Sequence, residues 1–277
     1  MLLTSLETAQ RLEAADIVHI HRQIEACSEI FPNHKSLNIP VGDGLASITL
    51  PSFGRKLNRI TGYGMAGPVS SEDLAIAEDL FEKNGVVEMG ISLCPLADLS
   101  ALRVLASRGY VVDSFINSYA RHLTDEDLKE VEVEGVEIIR VSQERAADFP
   151  KWSVKGYKDG GRLELLLDTL ARAAVLREDT SIYFALVDGE VAASAGMALI
   201  DTSKGGVAHL YIDSTLPEYR GRGIQVALLK KRLADARKAG LNLASVEARP
   251  GNGSCRNIER AGFSLAYTKT WFGKSWK

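Results

Sequence analysis

Two stretches of the chain are punctuated alike, and this limits the folds open to it more than any other feature. Gly85 and Gly240 stand 155 residues apart, as do Pro95 and Pro250, while Gly109 pairs with Gly262 at 153. In each copy a helical pattern ends at the first Gly. A strand follows (VVEMGISLCP; LNLASVEARP), then a second helix, an [RA]-G-[YF] turn and a β-rich segment. Such internal similarity implies a duplicated α/β unit. Alternating strands and helices build a mixed or parallel sheet with helices on both faces. The 277 residues, 45% of them hydrophobic, suffice for two domains with separate cores.

Charge sets the expected boundary. Residues 125–137 hold seven acids against one Lys and carry no apolar stripe of helical period. The reading is a first domain over 1–125, an acidic linker over 126–135 and a second domain over 136–277. The first contains a helix over 5–29, short strands over 46–50 and 57–63, and a helix from Ser71. In the second, a strand over 136–141 and a helix over 162–176 precede a hairpin of 182–187 and 190–200 that turns at Asp188-Gly189. A strand over 209–215 and a helix over 224–238 follow.

The longest apolar stretch, Val191 to Ile200, falls well short of a membrane span. The N-terminal residues read as a helix start with a Thr4-x-x-Glu7 capping box rather than a leader. Cys27, Cys94 and Cys255 are odd in number and far apart, which suits a reducing compartment. A soluble cytoplasmic protein is expected. With 33 basic and 36 acidic side chains the net charge is −3, so no global affinity for nucleic acid is expected. No metal site is expected either, because His19 and His21 point to different faces of a helix and His34 and His122 are isolated.

The most specific segment is Thr215-Leu-Pro-Glu-Tyr-Arg-Gly-Arg-Gly-Ile-Gln-Val-Ala-Leu-Leu, where a strand passes through a Gly-rich turn into a helix. Gly221 and Gly223 let successive amides curl inward, and the unpaired amides of the helix's first turn point the same way. Residues 217–239 add seven Lys and Arg against two acids, a local +5. A phosphate-bearing ligand is the expected occupant. By contrast, Gly62-Tyr-Gly-Met-Ala-Gly67 is a literal G-x-G-x-x-G, but Pro68 and Val69 separate it from the helix start, so it does not indicate a dinucleotide site.

Here the chain resembles the GNAT acetyltransferase superfamily, whose pyrophosphate loop reads [QR]-x-x-G-x-[GA]. Arg220-x-x-Gly223-x-Gln225 matches except at its last position. Leu243 to Ala248 and RPGNGSCRNIERAGF resemble the family's next strand, helix and G-F turn, and the likeness spans residues 136–272. It implies an α/β fold of two GNAT-like domains, each a mixed, mostly antiparallel sheet flanked by helices, with parting central strands in the C-terminal copy. It implies acetyl-CoA as acyl donor and an amine as acceptor. Thr215, Leu216, Arg220, Gly221, Arg222, Gly223, Ile224 and Gln225 would hold the phosphates and thioester end, with an amide near Leu216 polarising the thioester carbonyl. Asn252, Ser254 and Asn257 would meet the pantetheine. At an offset of 155, Met65 to Ser70 places Pro68 opposite Gly223 and supplies no Arg, so the N-terminal half reads as a truncated, degenerate copy.

The strand before the loop, Ala208-His-Leu-Tyr-Ile-Asp-Ser-Thr215, alternates so that His209, Tyr211 and Asp213 share one face. A polar face on a central strand suggests a cavity. His209, eleven residues before Arg220, stands where some family members carry a Glu base, and imidazole accepts a proton near neutral pH. Asp213, Tyr211 and Glu247 on the next strand remain alternatives. No Tyr acid occupies the family's place near Ile258 or Glu259, although a thiol of pKa about 8.5 leaves tolerably without one. A small-molecule primary amine is the expected acceptor; a protein amine, or a non-catalytic acyl-CoA sensor, are the other readings.

Overall fold

The structure, a computed structural model, describes residues 4–129, 133–157 and 160–276. Helix α1 (Leu6–Ile30) is capped by Ser5, whose side chain accepts from the Thr8 amide. The cap thus lies one residue past the expected Thr4, because Thr4 Oγ1 donates to the Ala266 carbonyl. There follow β1 (Leu37–Val41), β2 (Gly44–Ile48), β3 (Arg59–Thr61), α2 (Ser71–Lys83), β4 (Glu88–Leu93), α3 (Leu99–Ser107) and β5 (Val111–His122). Strand β1 escapes a pattern search because Pro40 interrupts it; Pro is tolerated there because β1 is an edge strand. The chain continues through β6 (Glu137–Arg140), α4 (Phe149–Gly156), α5 (Glu164–Leu176), β7 (Thr180–Val187), β8 (Glu190–Ile200) and β9 (Val207–Thr215). Helix α6 (Ile224–Lys238), β10 (Leu243–Ala248), α7 (Gly253–Arg260) and β11 (Ser264–Ser275) complete it.

Tyr119–Asp201 with Gly206–Ser264 form one compact unit, the C-terminal unit; residues 4–118, Thr202–Gly205 and 265–276 form the N-terminal unit. The division departs from the span 136–277 in that β5 begins in one unit and ends in the other, and β11 pairs antiparallel with β4 from Thr270–Leu93 to Ser275–Glu88. A strand belongs where its ladder is satisfied, which a charge run cannot report. Residues 130–132 of the acidic stretch lie outside the described residues.

In the N-terminal unit the strand order is β1-β2-β3-β4-β11-β5, with β3 and β4 parallel. Helices α2 and α3 pack Leu74, Phe81, Ala101 and Leu105 with Ile60, Met89 and Ile91. The buried side of α1 is partly polar: Lys269 on β11 pairs with Glu13 at 2.9 Å and Asp16 at 2.8 Å, and the Tyr267 hydroxyl donates to Glu13 at 2.6 Å. Tyr267 is thereby held in this unit's interior.

In the C-terminal unit the end of β5 is followed by β10-β9-β8-β7-β6, with β9 and β10 parallel and the other described pairs antiparallel. Alternation along β7 serves two cores. Tyr183 and Ala185 join Leu210, Leu228, Leu233, Val246 and Ile258, drawn in part from α6 and α7. Ile182 and Phe184 join Phe149, Ala171 and Ala174 of α4 and α5. The hairpin turns at Asp188 and Gly189, φ 52° and 81°, the left-handed pair a two-residue turn requires. Helices α2 and α6 end in the same motif: Gly85 donates to Glu82 and Val86 to Phe81, Gly240 to Arg237 and Leu241 to Ala236. The shared punctuation of the sequence is thus a shared helix stop.

Candidate active site

The parallel register of β9 and β10 runs from Ala208–Ala244 through His209–Ser245 to Leu210–Val246. Beyond it β9 continues to Thr215 and β10 to Ala248, each without the other as ladder partner, so the two strands part. A bulge bends β9 at that point. Against β8, Ser194 faces Ser214 and Gly196 faces Tyr211, which leaves Ile212 and Asp213 opposite Ala195 alone. Ile212 takes φ 55°, an outlier for a β-branched residue. A Cβ at position 196 would lie 2.9 Å from Ile212 Cγ2, so only Gly leaves room for the bulge.

The bulge corrects the expected alternation. His209 and Tyr211 keep one face, with rings 6.0 Å apart, but Asp213 turns to α6 and pairs there with the fully buried Arg232. Burial pushes the Asp213 carboxyl up from its ordinary range, and Arg232 draws it back down. A carboxylate engaged by both terminal guanidinium nitrogens is not placed to take a proton from an amine. Tyr211 is occupied too: it shares a 2.9 Å hydrogen bond with Thr180, lies under Arg177, and its phenol is pushed up by burial. His209, 8% exposed, is hydrogen-bonded through Nδ1 to Ser245 Oγ at 2.9 Å. Glu247 is the first residue of β10 past the last pair, two positions beyond Ser245 and on its face.

After β9 a single 3₁₀ turn, Pro217–Tyr219, leads to the loop. Gly221 and Gly223 take φ 78° and 76°, and nothing lies within 4 Å of where their Cβ atoms would be. Gly223 is the N-cap of α6, with no side-chain cap and no acid in the first turn. The Ile224 side chain is buried in the core while Gly221, Arg222 and Gly223 are exposed. Arg220 donates to Thr215 O at 3.1 Å and Gly156 O at 3.2 Å, bracing the loop against α4. Arg222 sits over the Tyr219 ring. The expected role of Leu216 does not survive, because its amide donates to Ala192 O at 3.0 Å.

Two of the three expected pantetheine residues, Ser254 and Asn257, meet at Gln225, which was expected on the phosphates. Asn257 donates to Gln225 Oε1 at 2.8 Å and Gln225 to Ser254 Oγ at 3.1 Å, tying the first turn of α6 to α7. Asn252 instead caps α7, accepting from the Cys255 amide. Cys255 is buried and its thiol donates to Arg249 O. Arg232 was missed by sequence reasoning, although a cation among Leu228, Leu229, Leu233 and Ala236 demands a buried acid, and Asp213 was the acid in view. Gly196, inside a strand pattern, was the available sign of a bulge.

The corresponding loop of the N-terminal unit differs. Its helix is capped by Ser70, whose Oγ accepts from the Asp73 amide, so counted from the caps Ser70 rather than Pro68 stands in the place of Gly223. The amides of Gly64 and Ala66 both donate to the Asp43 carboxylate, and that of Val69 to Ser100 Oγ. Glu72 and Asp73 occupy the first turn of α2. The strands do not part: Arg59, Ile60 and Thr61, the whole of β3, pair with Gly90, Ile91 and Ser92.

In the C-terminal unit the parallel central strands part beside a glycine-rich loop at a helix start, and comparison with known proteins says what this arrangement is similar to. Residues 139–263 match the model of the acetyltransferase (GNAT) family. No curated protein matches the chain in sequence. Among solved structures, the fold is similar to a GCN5-related N-acetyltransferase from Kribbella flavida, 16% identical, with a TM-score of 0.68 over 97% of this chain and 96% of that one. It is similar also to a tandem GNAT protein from the clavulanic acid biosynthesis pathway, 13% identical, TM-score 0.62 over 96% and 94%. A GCN5-related N-acetyltransferase from Sphaerobacter thermophilus is 14% identical, TM-score 0.57 over 96% and 93%. Among the described residues no helix is long and apolar enough to cross a membrane, and no group of His, Cys, Asp and Glu is placed to hold a metal.

Proposed function

We propose that the C-terminal unit binds acetyl-CoA and transfers its acetyl group to a primary amine on a small molecule, and that the N-terminal unit is a degenerate copy without a CoA site. The observation that carries the reading is the parting of β9 and β10 past Leu210–Val246, directly beside the open amides of Gly221 to Gly223. The phosphates fit those amides and the first turn of α6, as anions do at a helix start. The Ser254, Gln225 and Asn257 chain offers amide and hydroxyl groups to the pantetheine.

The reaction is direct attack in a ternary complex. The amine nitrogen bonds to the thioester carbon, the carbon–sulfur bond breaks, and the sulfur departs as thiolate. His209 takes the amine's proton through water, its ring held by Ser245, while Glu247 at the mouth of the parted strands attracts the incoming ammonium form. A backbone amide of the β9 bulge, in place of that of Leu216, donates to the developing oxyanion. Direct transfer is favoured over an acyl-cysteine because the Cys255 thiol is buried on the Arg249 carbonyl.

The test is a panel of small primary amines and amine-bearing peptides incubated with acetyl-CoA and the full chain, followed by CoA release and product mass. Acetylation of small amines is expected. Binding without turnover makes the protein a sensor, and acetylation confined to peptides overturns the acceptor class.

A further inference from the structure

We propose that Arg232 is a positioning residue for acyl transfer: it fastens the β9 bulge and with it the backbone amide proposed to face the thioester carbonyl. The inference rests on the acyl-CoA reading above and extends it to a residue that touches no substrate.

Arg232 is 0% exposed, and an arginine is almost never fully buried unless its donors are taken. Here they are spent on three elements. Nε donates to Leu228 O of its own helix at 3.0 Å. Nη1 donates to Gly196 O on β8 at 2.8 Å and to Asp213 Oδ2 on β9 at 3.1 Å, and Nη2 donates to Asp213 Oδ1. Gly196 is the β8 residue that flanks the two-against-one mismatch, and Asp213 is one of the two β9 residues within it. One guanidinium therefore bridges the bulge across both strands, in the fork geometry that a lysine cannot copy.

The bulge needs such a clamp. Ile212 at φ 55° is strained, and strained backbone persists only where its surroundings hold it. Other contacts close on the same turn: Ser194 and Ser214 share a 2.9 Å hydroxyl bond, and Gly156 of α4 approaches so closely that a Cβ there would lie 2.5 Å from Ser214 Oγ. Were neutralising Asp213 its whole purpose, a packed apolar pair of similar volume would serve as well. What the ion pair adds is a fixed strand geometry at the point where β9 leaves β10.

The experiment uses the full chain with acetyl-CoA carrying ¹³C at the thioester carbonyl, read by isotope-edited infrared spectroscopy, with calorimetry of CoA alongside. In the wild type the bound carbonyl stretch shifts below that of free acetyl-CoA. In Arg232→Lys this shift is lost while CoA affinity changes by less than about threefold. Turnover with an accepted amine falls about 100-fold at nearly constant KM for acetyl-CoA, the scale of an ångström's misplacement. Asp213→Asn, which keeps the side-chain shape, repeats the pattern and decides the matter should Arg232→Lys not fold. Retention of the shift and of turnover in either folded variant overturns the proposal, as does a wild-type complex with no shift. Failure of the wild type to bind acetyl-CoA removes the acyl-CoA reading itself, and the proposal with it.

Discussion

After β9 the chain enters α6 through Gly221 and Gly223, whose surroundings are open and whose helix start carries no acid. After β3 it enters α2 through a loop equally rich in glycine, yet Gly64 and Ala66 donate to Asp43, Val69 donates to Ser100, and Ser70 caps the helix with its own hydroxyl. Both loops join a parallel strand to a helix, and both helices stop in the same Gly motif. What separates them is where the amides go. In one loop they lie at exposed, uncrowded positions; in the other the Asp43 carboxylate and the Ser100 hydroxyl accept them. A glycine-rich strand-to-helix turn is therefore evidence of a possible anion site only after its donors have been accounted for.

The comparison can be broken most severely at the chemistry that only the C-terminal unit is proposed to perform. His209→Gln is expected to lower kcat/KM by about 10² to 10⁴ and to remove a limb of the pH profile that rises through an imidazole-like pKa, with CoA affinity nearly unchanged. Only a limb well below the pKa of a free alkylamine, about 10, is diagnostic. A variant with wild-type rate and profile makes His209 structural and leaves Glu247, acting through water, as the base.

Next in size is the loop itself. Gly223→Pro removes an amide and forces φ from 76° to about −65°, so CoA affinity measured by calorimetry is expected to drop at least tenfold, the loss of about one charge-assisted hydrogen bond. Unchanged affinity in a folded variant removes the phosphate assignment.

Asp43→Ala sharpens the contrast from the other side. Two amide donors lose a charged acceptor, and the N-terminal unit is expected to lose about 1 to 3 kcal/mol in denaturant titrations. Inorganic pyrophosphate should then raise the melting temperature of the variant more than that of the wild type. Equal response to pyrophosphate shows that the carboxylate does not occupy an anion seat. The smallest effect is expected at Asn257→Ala, which removes one neutral hydrogen bond to Gln225 and should weaken CoA binding about threefold to tenfold.

Much of this contrast was legible in the sequence. The glycine stops, the Asp-Gly hairpin, the strand-to-helix loop and the helix over Ile224–Lys238 follow from local rules, and local rules hold where the backbone meets no conflict. Asp213 was misplaced because period-two alternation assumes an unbroken strand, and one residue at positive φ is enough to send the next side chain to the opposite face. Leu216 failed for a different reason: whether an amide is free depends on a partner, Ala192, over twenty residues away. Asp43 lies in a tight turn between β1 and β2, and no spacing rule connects it to the loop it fills.

Of the two loops, only the one before α6 is proposed to receive the cofactor's phosphates. Calorimetric titration of CoA into the wild-type chain, Asp43→Ala and Gly223→Pro tests it most directly. The predicted result is one CoA per chain in the wild type and in Asp43→Ala, since the N-terminal loop has no arginine and β3 stays paired with β4 over its whole length, with binding at least tenfold weaker in Gly223→Pro. Two equivalent sites in the wild type, or binding that survives Gly223→Pro unchanged, would contradict it.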